Sequence, residues 1–273
     1  MDIPIYDDHF HVSPSGLNVE ALRQFKAAGG TGMTLVTLPY PEVQITCGED
    51  FRRSFEITVG YAEKGRELGL EINCAIGPYP ILVIPLAAHY GIERAEKILT
   101  EGMDIAHEMI SSGKAQLMGE VGRPHFETDQ IYFDVCNRVL QHGMDLAHEN
   151  DYAVMIHCES WEDTFRSLSS MASSAGLPAR KVIKHSSPPA SAGEGTFGVT
   201  PSVPCSRSLL RESLSKGRDF MVETDYIDDP EKPGAMMSLN TVPKRIKGFL
   251  SSGDLTEEDV RRICGEIPDS LYR

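Results

Sequence analysis

Four of the nine histidines stand where short apolar runs stop. The first run finishes Asp7-Asp8-His9-Phe10-His11, and the two-residue period of a strand puts Asp7, His9 and His11 on one face, with Asp8 and Phe10 on the other. Two imidazoles on one face can chelate a cation, and each neutral ring can donate its second N–H to a carboxylate, a role open to Asp7. Two further runs, Val154-Met155-Ile156-His157 and Val182-Ile183-Lys184-His185, also finish on histidine. In Met118-Gly119-Glu120-Val121-Gly122 a carboxylate follows an apolar approach, a costly place for a charge unless a cation compensates it. The last run, Phe220 to Asp225, finishes on acid, with Glu223 and Asp225 on one face. One such histidine is ordinarily a hydrogen-bonded core residue, and a lone His-x-His pair says little. Together, His9, His11, Glu120, His157, His185 and Asp225 form an inventory of ligands.

Four imidazoles and two carboxylates suit two divalent metal ions, or one ion with acid-base groups beside it. Mixed nitrogen and oxygen donors fit Zn²⁺, with Mn²⁺, Fe²⁺ or Ni²⁺ also open, whereas Mg²⁺ or Ca²⁺ would draw more oxygen. Such a centre brings the pKa of water toward neutrality and polarises a carbonyl or phosphoryl oxygen. Asp225 is placed both to bind a metal and to take the proton from water. Activity is expected to fall as pH drops through the imidazole range, because histidine ligands must be deprotonated.

Something must bring these residues together. Apolar, β-branched segments read as strands over residues 3–12, 33–38, 70–76, 115–121, 153–158, 181–186, 196–203 and 219–225. Helical spacing fills 19–28, 51–68, 92–111, 130–150 and 161–174, several of them ending at Gly or Asn. Strand and helix in alternation predict an α/β (β/α)₈ TIM barrel, in which chemistry gathers at the carboxyl ends of the strands. The seventh strand is the least defined, since 193–204 is rich in Gly, Pro and Ser and reads equally as a loop over the barrel mouth. A length of 273 residues would suggest about two domains at roughly 150 each, but barrels run to about 250 and no linker interrupts this chain. One domain over 1–273 is therefore expected. Within it, 254–273 forms a C-terminal helical segment, capped at Thr256 with Glu257, Glu258 and Asp259 in its first turn, closing against the outer ring.

Composition narrows the partners. Forty acidic against 26 basic residues give a net charge of −14, and no segment gathers Lys or Arg into a footprint for nucleic acid or an anionic membrane. The longest apolar run, from Ile76 to Ile92, is interrupted by Pro78, Pro80, Pro85 and His89 and is too short to cross a bilayer. Met1 leads directly into Asp2 without a secretory leader, and the six cysteines are scattered without a CxxC pair, so a reduced, cytoplasmic protein is expected. Nothing in the pattern indicates an oligomer interface. His89, His107, His142 and His148 read as surface residues, and Trp161 as either a pocket wall or ordinary packing.

The order of ligand types along the chain resembles that of the amidohydrolase superfamily. More narrowly, Gly119-Glu120-Val121-Gly122 and Glu223-Thr224-Asp225 are similar to the GEIG and ETD signatures of TatD-type metal-dependent hydrolases, and the likeness covers nearly the whole chain. The resemblance implies that His9, His11 and Asp225 hold one metal, that His157 and His185 hold the second, and that Glu120 bridges them. Asp225 and Glu120 are then the expected catalytic residues, with Asp7 and Glu223 behind the ligands. The chain departs from the pattern at three places. Glu159 stands where those nucleases carry an Arg two residues after the fifth-strand His; Arg123-Pro124-His125-Phe126 replaces the LD-type continuation; and His185-Ser186-Ser187-Pro188-Pro189 replaces an HCF segment. An acid at 159 would repel a phosphodiester. Arg123, His125 and Glu159 become candidate substrate contacts, with pairing to a neighbouring carboxylate the alternative for Arg123. The expected function is hydrolysis of a phosphoester, amide or ester bond, in a small molecule rather than a nucleic acid. A TatD-type deoxyribonuclease is one alternative. A metal-binding barrel of structural or regulatory role is the other, and Asp225 tells against it because a structural site needs no base.

Overall fold

The apolar segments become parallel strands because both of their faces are covered, one by the barrel interior and the other by helices. A computed structural model describes residues 3–231 and 236–272; Met1, Asp2 and the last residue of the C-terminal segment, Arg273, lie outside them. The elements run β1 (Tyr6–Phe10), α1 (Val19–Ala28), β2 (Gly32–Val36), α2 (Asp50–Glu67), β3 (Glu71–Ile76), α3 (Val83–Tyr90), α4 (Ile92–Ser111), β4 (Leu117–Gly122), α5 (Gln130–Glu149), β5 (Val154–His157), α6 (Thr164–Ala175), β6 (Val182–Lys184), β7 (Thr200–Pro204), α7 (Arg207–Lys216), β8 (Met221–Glu223), α8 (Thr241–Ser252), α9 (Glu257–Arg261) and α10 (Ile267–Tyr272). Every neighbouring pair from β1 to β8 is parallel and follows chain order. A parallel bridge from Phe10 to Tyr226, with His11 N–H donating to Tyr226 O at 2.9 Å, brings the two ends of the sheet together into a nearly closed (β/α)₈ barrel.

Local chemistry explains several boundaries. The N-terminus of α1 is capped by the Asn18 side chain, and its C-terminus ends on Gly29 in the left-handed conformation, φ 99°. At α9 a capping box joins Thr256 and Asp259, as Thr256 promised.

Three expectations need correction. The apolar stretch 76–92 holds a 3₁₀ turn at Pro80–Leu82 and then α3, so β3 is followed by two helices rather than one. Pro80 and Pro85 fall in first turns, where no intrahelical N–H is lost. Between β6 and β7 there is no α-helix, only the 3₁₀ turn Pro189–Ala192, and the Gly-rich stretch divides into a loop up to residue 199 and a strand from 200. The C-terminal segment finishes against β1 rather than on the outer ring: the buried Tyr272 hydroxyl donates to Asp8 Oδ1 at 2.5 Å, and its ring lies 6.4 Å from that of Tyr6. No helix among the described residues is long and apolar enough to cross a membrane.

Candidate metal centre

All six ligand-type residues arrive at one end of the barrel. His9 lies within β1 and His11 just beyond it, Glu120 lies in β4, and His157 ends β5. His185 follows β6 by one residue and Asp225 follows β8 by two. His9 Nε2 and His11 Nε2 approach to 3.1 Å, with Glu120 Oε2 3.5 Å from the first and 3.9 Å from the second. Asp225 Oδ1 stands 3.7 Å and 3.5 Å from the same two nitrogens. On the other side, Glu120 Oε1 contacts His157 Nδ1 and lies 3.1 Å from His185 Nε2, while His157 Nδ1 and His185 Nε2 are 3.0 Å apart. One carboxylate thus gives one oxygen to each imidazole pair.

The backbone is shaped to allow this. A side chain at Gly122 would collide with the His157 carbonyl, its Cβ falling 2.2 Å from that oxygen, and its φ of 138° suits glycine alone. Arg123 N–H donates to His157 O at 2.8 Å, holding the ends of β4 and β5 together. Asp225 itself adopts a left-handed φ of 50°, and Ser186, directly after His185, one of 49°. Non-glycine residues in that region cost energy that the surroundings must supply.

Charge reinforces the cluster. Burial would raise the Glu120 pKa, but His157 and His185 beside it hold it well below the usual carboxylate range. Burial would likewise lower that of His185, yet Glu120 and Glu223 lift it well above the ordinary imidazole value. His11 is also raised, by Asp225 and Glu120 against its burial, whereas burial and the adjacent His185 lower His9. Asp225 is held low by His11 and His9 although burial opposes it. The donors fit divalent cations: carboxylates that stay ionised, imidazoles crowded nitrogen to nitrogen, and three sets of three donor atoms each within 4.8 Å of one another. A proton on His185 is what a cation would displace.

Behind the ligands, His11 Nδ1 pairs with Val36 O at 2.9 Å, which turns Nε2 inward. Glu223 Oε1 lies 3.5 Å from His185 Nδ1 and accepts the Ser186 N–H at 2.8 Å. Asp7 is placed differently from expectation. The β1–β2 register shifts between Asp7 and Phe10, which breaks the simple two-residue period. Asp7 accepts Thr224 N–H at 2.9 Å, Thr224 Oγ1–H at 2.8 Å and the His9 amide at 3.3 Å, so it ties β1 to the residue before Asp225 rather than to an imidazole. Burial pushes its carboxyl up to about 8 against those hydrogen bonds.

Two of the three candidate substrate contacts are engaged with each other, and the third stands at the edge of the cluster. Arg123 and Glu159 pair with each other at 2.6 Å, both buried, and Asn137, Ser167 and Thr164 complete the group. Glu159 therefore presents a compensated charge, and the expected repulsion of a phosphodiester loses its basis. His125 Nδ1 lies 2.7 Å from His157 Nε2, on the far side of that ring from Glu120. Trp161 is 54% exposed and packs on Phe133 at 5.4 Å, away from the cluster.

A cavity of about 680 Å³ opens over the cluster. His11, Glu120, His157, His185 and Asp225 line it together with Asp228, Asp229 and Glu231, and no Lys or Arg does so among the described residues. Two residues here were not anticipated. Tyr79 lays its ring edge-on to His157 at 5.1 Å; its place three residues beyond β3 was the available clue. Asp228 accepts the amides of Ser13, Leu17 and Asn18 and the Tyr226 hydroxyl, clamping the β8 exit to the β1 exit, and no local pattern announces partners 210 residues away.

Comparison with known proteins places this architecture. The family model described as TatD related DNase matches residues 6–273. An uncharacterized protein of Methanocaldococcus jannaschii is 30% identical over 275 residues, spanning 99% of this chain and 96% of that protein. A TatD homologue from Escherichia coli K12 superposes with a TM-score of 0.69 at 19% identity, over 100% of this chain and 99% of the other. The phosphotriesterase from Mycobacterium tuberculosis gives 0.66 at 14% identity, over 100% and 94%.

Proposed function

The chain belongs to the TatD related DNase family and is a metal-dependent hydrolase, and on that premise we propose that it cleaves a phosphoester, amide or ester bond of a small molecule. The observation that carries the proposal is the division of Glu120, one oxygen toward His9 and His11 and the other toward His157 and His185. His9, His11 and Asp225 would hold one cation and His157 and His185 a second, with Glu120 shared. Zinc suits the mixed donor set, and manganese, iron or nickel would also fit. Bound there, such ions acidify water and polarise the bond to be broken.

The chain's own residues do the rest. Asp225 faces the cavity, and its depressed pKa keeps it ionised and able to accept the proton of the attacking water and pass it to the leaving atom. Asp7, through Thr224, and Glu223, through Ser186 and His185, hold that carboxylate and that ring in position. The lining without Lys or Arg among the described residues favours a compact, weakly charged substrate over a nucleic-acid strand. The family description favours the second reading, a deoxyribonuclease. Six unpaired cysteines accord with a cytoplasmic setting. In the metal-loaded protein, Asp225→Asn is expected to lower kcat on a small-ester and phosphoester panel by about 10²–10⁴. Cleavage of single-stranded DNA alongside an inert panel would move the assignment to the nuclease.

A further inference from the structure

A second cavity, of about 330 Å³, lies beside the first and within the range of about 300–1,000 Å³ that small-molecule pockets occupy. Ile45 and Phe51 from the β2–α2 side and Leu82 and Leu86 from α3 and the turn before it form much of its wall. Leu38, Pro39 and Tyr79 line both cavities, so the two share a partition. Tyr79 is also the residue whose ring rests on His157.

A βα repeat needs one helix after β3, and this chain has two. The surplus helix, α3, comes from the apolar stretch 76–92; Val83 and Leu86 anchor it on the barrel's core. It is also built into the wall of a cavity adjoining the hydrolytic centre. Among the described residues no Lys or Arg lines that wall, whose titratable groups are His89, Tyr79 and Tyr90.

We propose that this cavity is a subsite for the apolar part, an alkyl or aryl group, of a neutral substrate whose scissile bond lies over the Glu120 cluster. The proposal rests on the hydrolytic reading above. For an ester, a bond forms between the acyl carbon and the water oxygen, the bond to the alkoxy oxygen breaks, and a water proton goes to the leaving alcohol. Each methylene seated against Leu82 and Ile45 leaves water, so KM should fall roughly fourfold per carbon until the cavity is full.

The test uses the metal-loaded full chain with 4-nitrophenyl esters from acetate to octanoate, and the neutral fluorescent probe N-phenyl-1-naphthylamine for binding without turnover. Ile45→Trp and Leu82→Trp, each at a half-buried position, fill the space from opposite sides. Saturable probe binding is expected, weakened at least tenfold in both variants, with the octanoate-to-acetate ratio of kcat/KM reduced at least tenfold as well. Absent probe binding, unchanged probe binding in both folded variants, or a ratio that does not move would overturn the proposal. Probe binding that weakens as expected, with no ester hydrolysed at any metal load, would overturn the subsite's link to ester hydrolysis and keep the cavity as an apolar binding site.

Discussion

Glu120 divides its oxygens between two imidazole pairs, one from the end of β1 and the other from the ends of β5 and β6. At the scale of single residues, the contrast with Arg123 and Glu159 is instructive. Both pairs of groups are buried, yet one set crowds like donors together while the other matches opposite charges. Arg123 and Glu159 neutralise one another through a single contact at 2.6 Å, with Arg123 Nε and Glu159 Oε2 left without partners, so their expected contribution is to stability. Removing one partner of a buried ion pair leaves an uncompensated charge, at a cost of about 3–5 kcal/mol. Glu159→Ala should therefore lower the unfolding free energy from urea titration by that amount while leaving KM for a small ester within about twofold. A selective rise in KM without loss of stability would return Glu159 to the substrate. The six ligand-type residues were legible because each terminates an apolar run, a local signal. The Arg123–Glu159 pair was not, because its members are 36 residues apart and nothing near either of them names the other.

Among the elements, legibility followed periodicity. α1 appears in the structure with the boundaries its spacing and Gly29 imply, whereas α3 was hidden by prolines that in fact start turns. The connection before α2 shows how a loop wall is held. Asp50 Oδ2 accepts the Thr46 hydroxyl at 2.7 Å and the amides of Thr46 and Cys47 at 2.8 Å and 3.0 Å, fixing the chain next to Ile45. The Thr46 hydroxyl, with those amides, holds the Asp50 carboxyl below its ordinary value despite partial burial. A carboxylate depressed in the folded state contributes stability above its unfolded pKa of about 3.8 and loses it as pH falls through the lower folded value. Asp50→Asn should cost about 0.5–1 kcal/mol at pH 7, and the gap between variant and parent in urea midpoint should close below about pH 4. A gap independent of pH would show that the charge plays no part.

The whole molecule is a ring of strands with its acid and imidazole groups collected at one mouth and a net charge of −14 around them. Cations bound to the folded ring but not to the open chain stabilise it by mass action, about 2.7 kcal/mol at a hundredfold excess over Kd. For a domain of this size that is a shift in Tm of about 5–10 °C. Stripping the protein with a chelator should lower Tm by this amount, and adding zinc or manganese should restore it. A Tm insensitive to chelation would argue that the cluster holds no cation in the purified protein.

The clasp between Tyr272 and Asp8 sets a schedule for biosynthesis. His9 and His11 are translated early, but the Thr224 that grips Asp7 follows it by 217 residues and the Tyr272 that grips Asp8 by 264. On a ribosome the first strand must wait unpartnered on one side, its imidazoles open to solvent, until almost everything else has emerged. The set of His9, His11 and Asp225 can therefore assemble only after residue 225 has emerged, whereas Glu120, His157 and His185 are all present by residue 185.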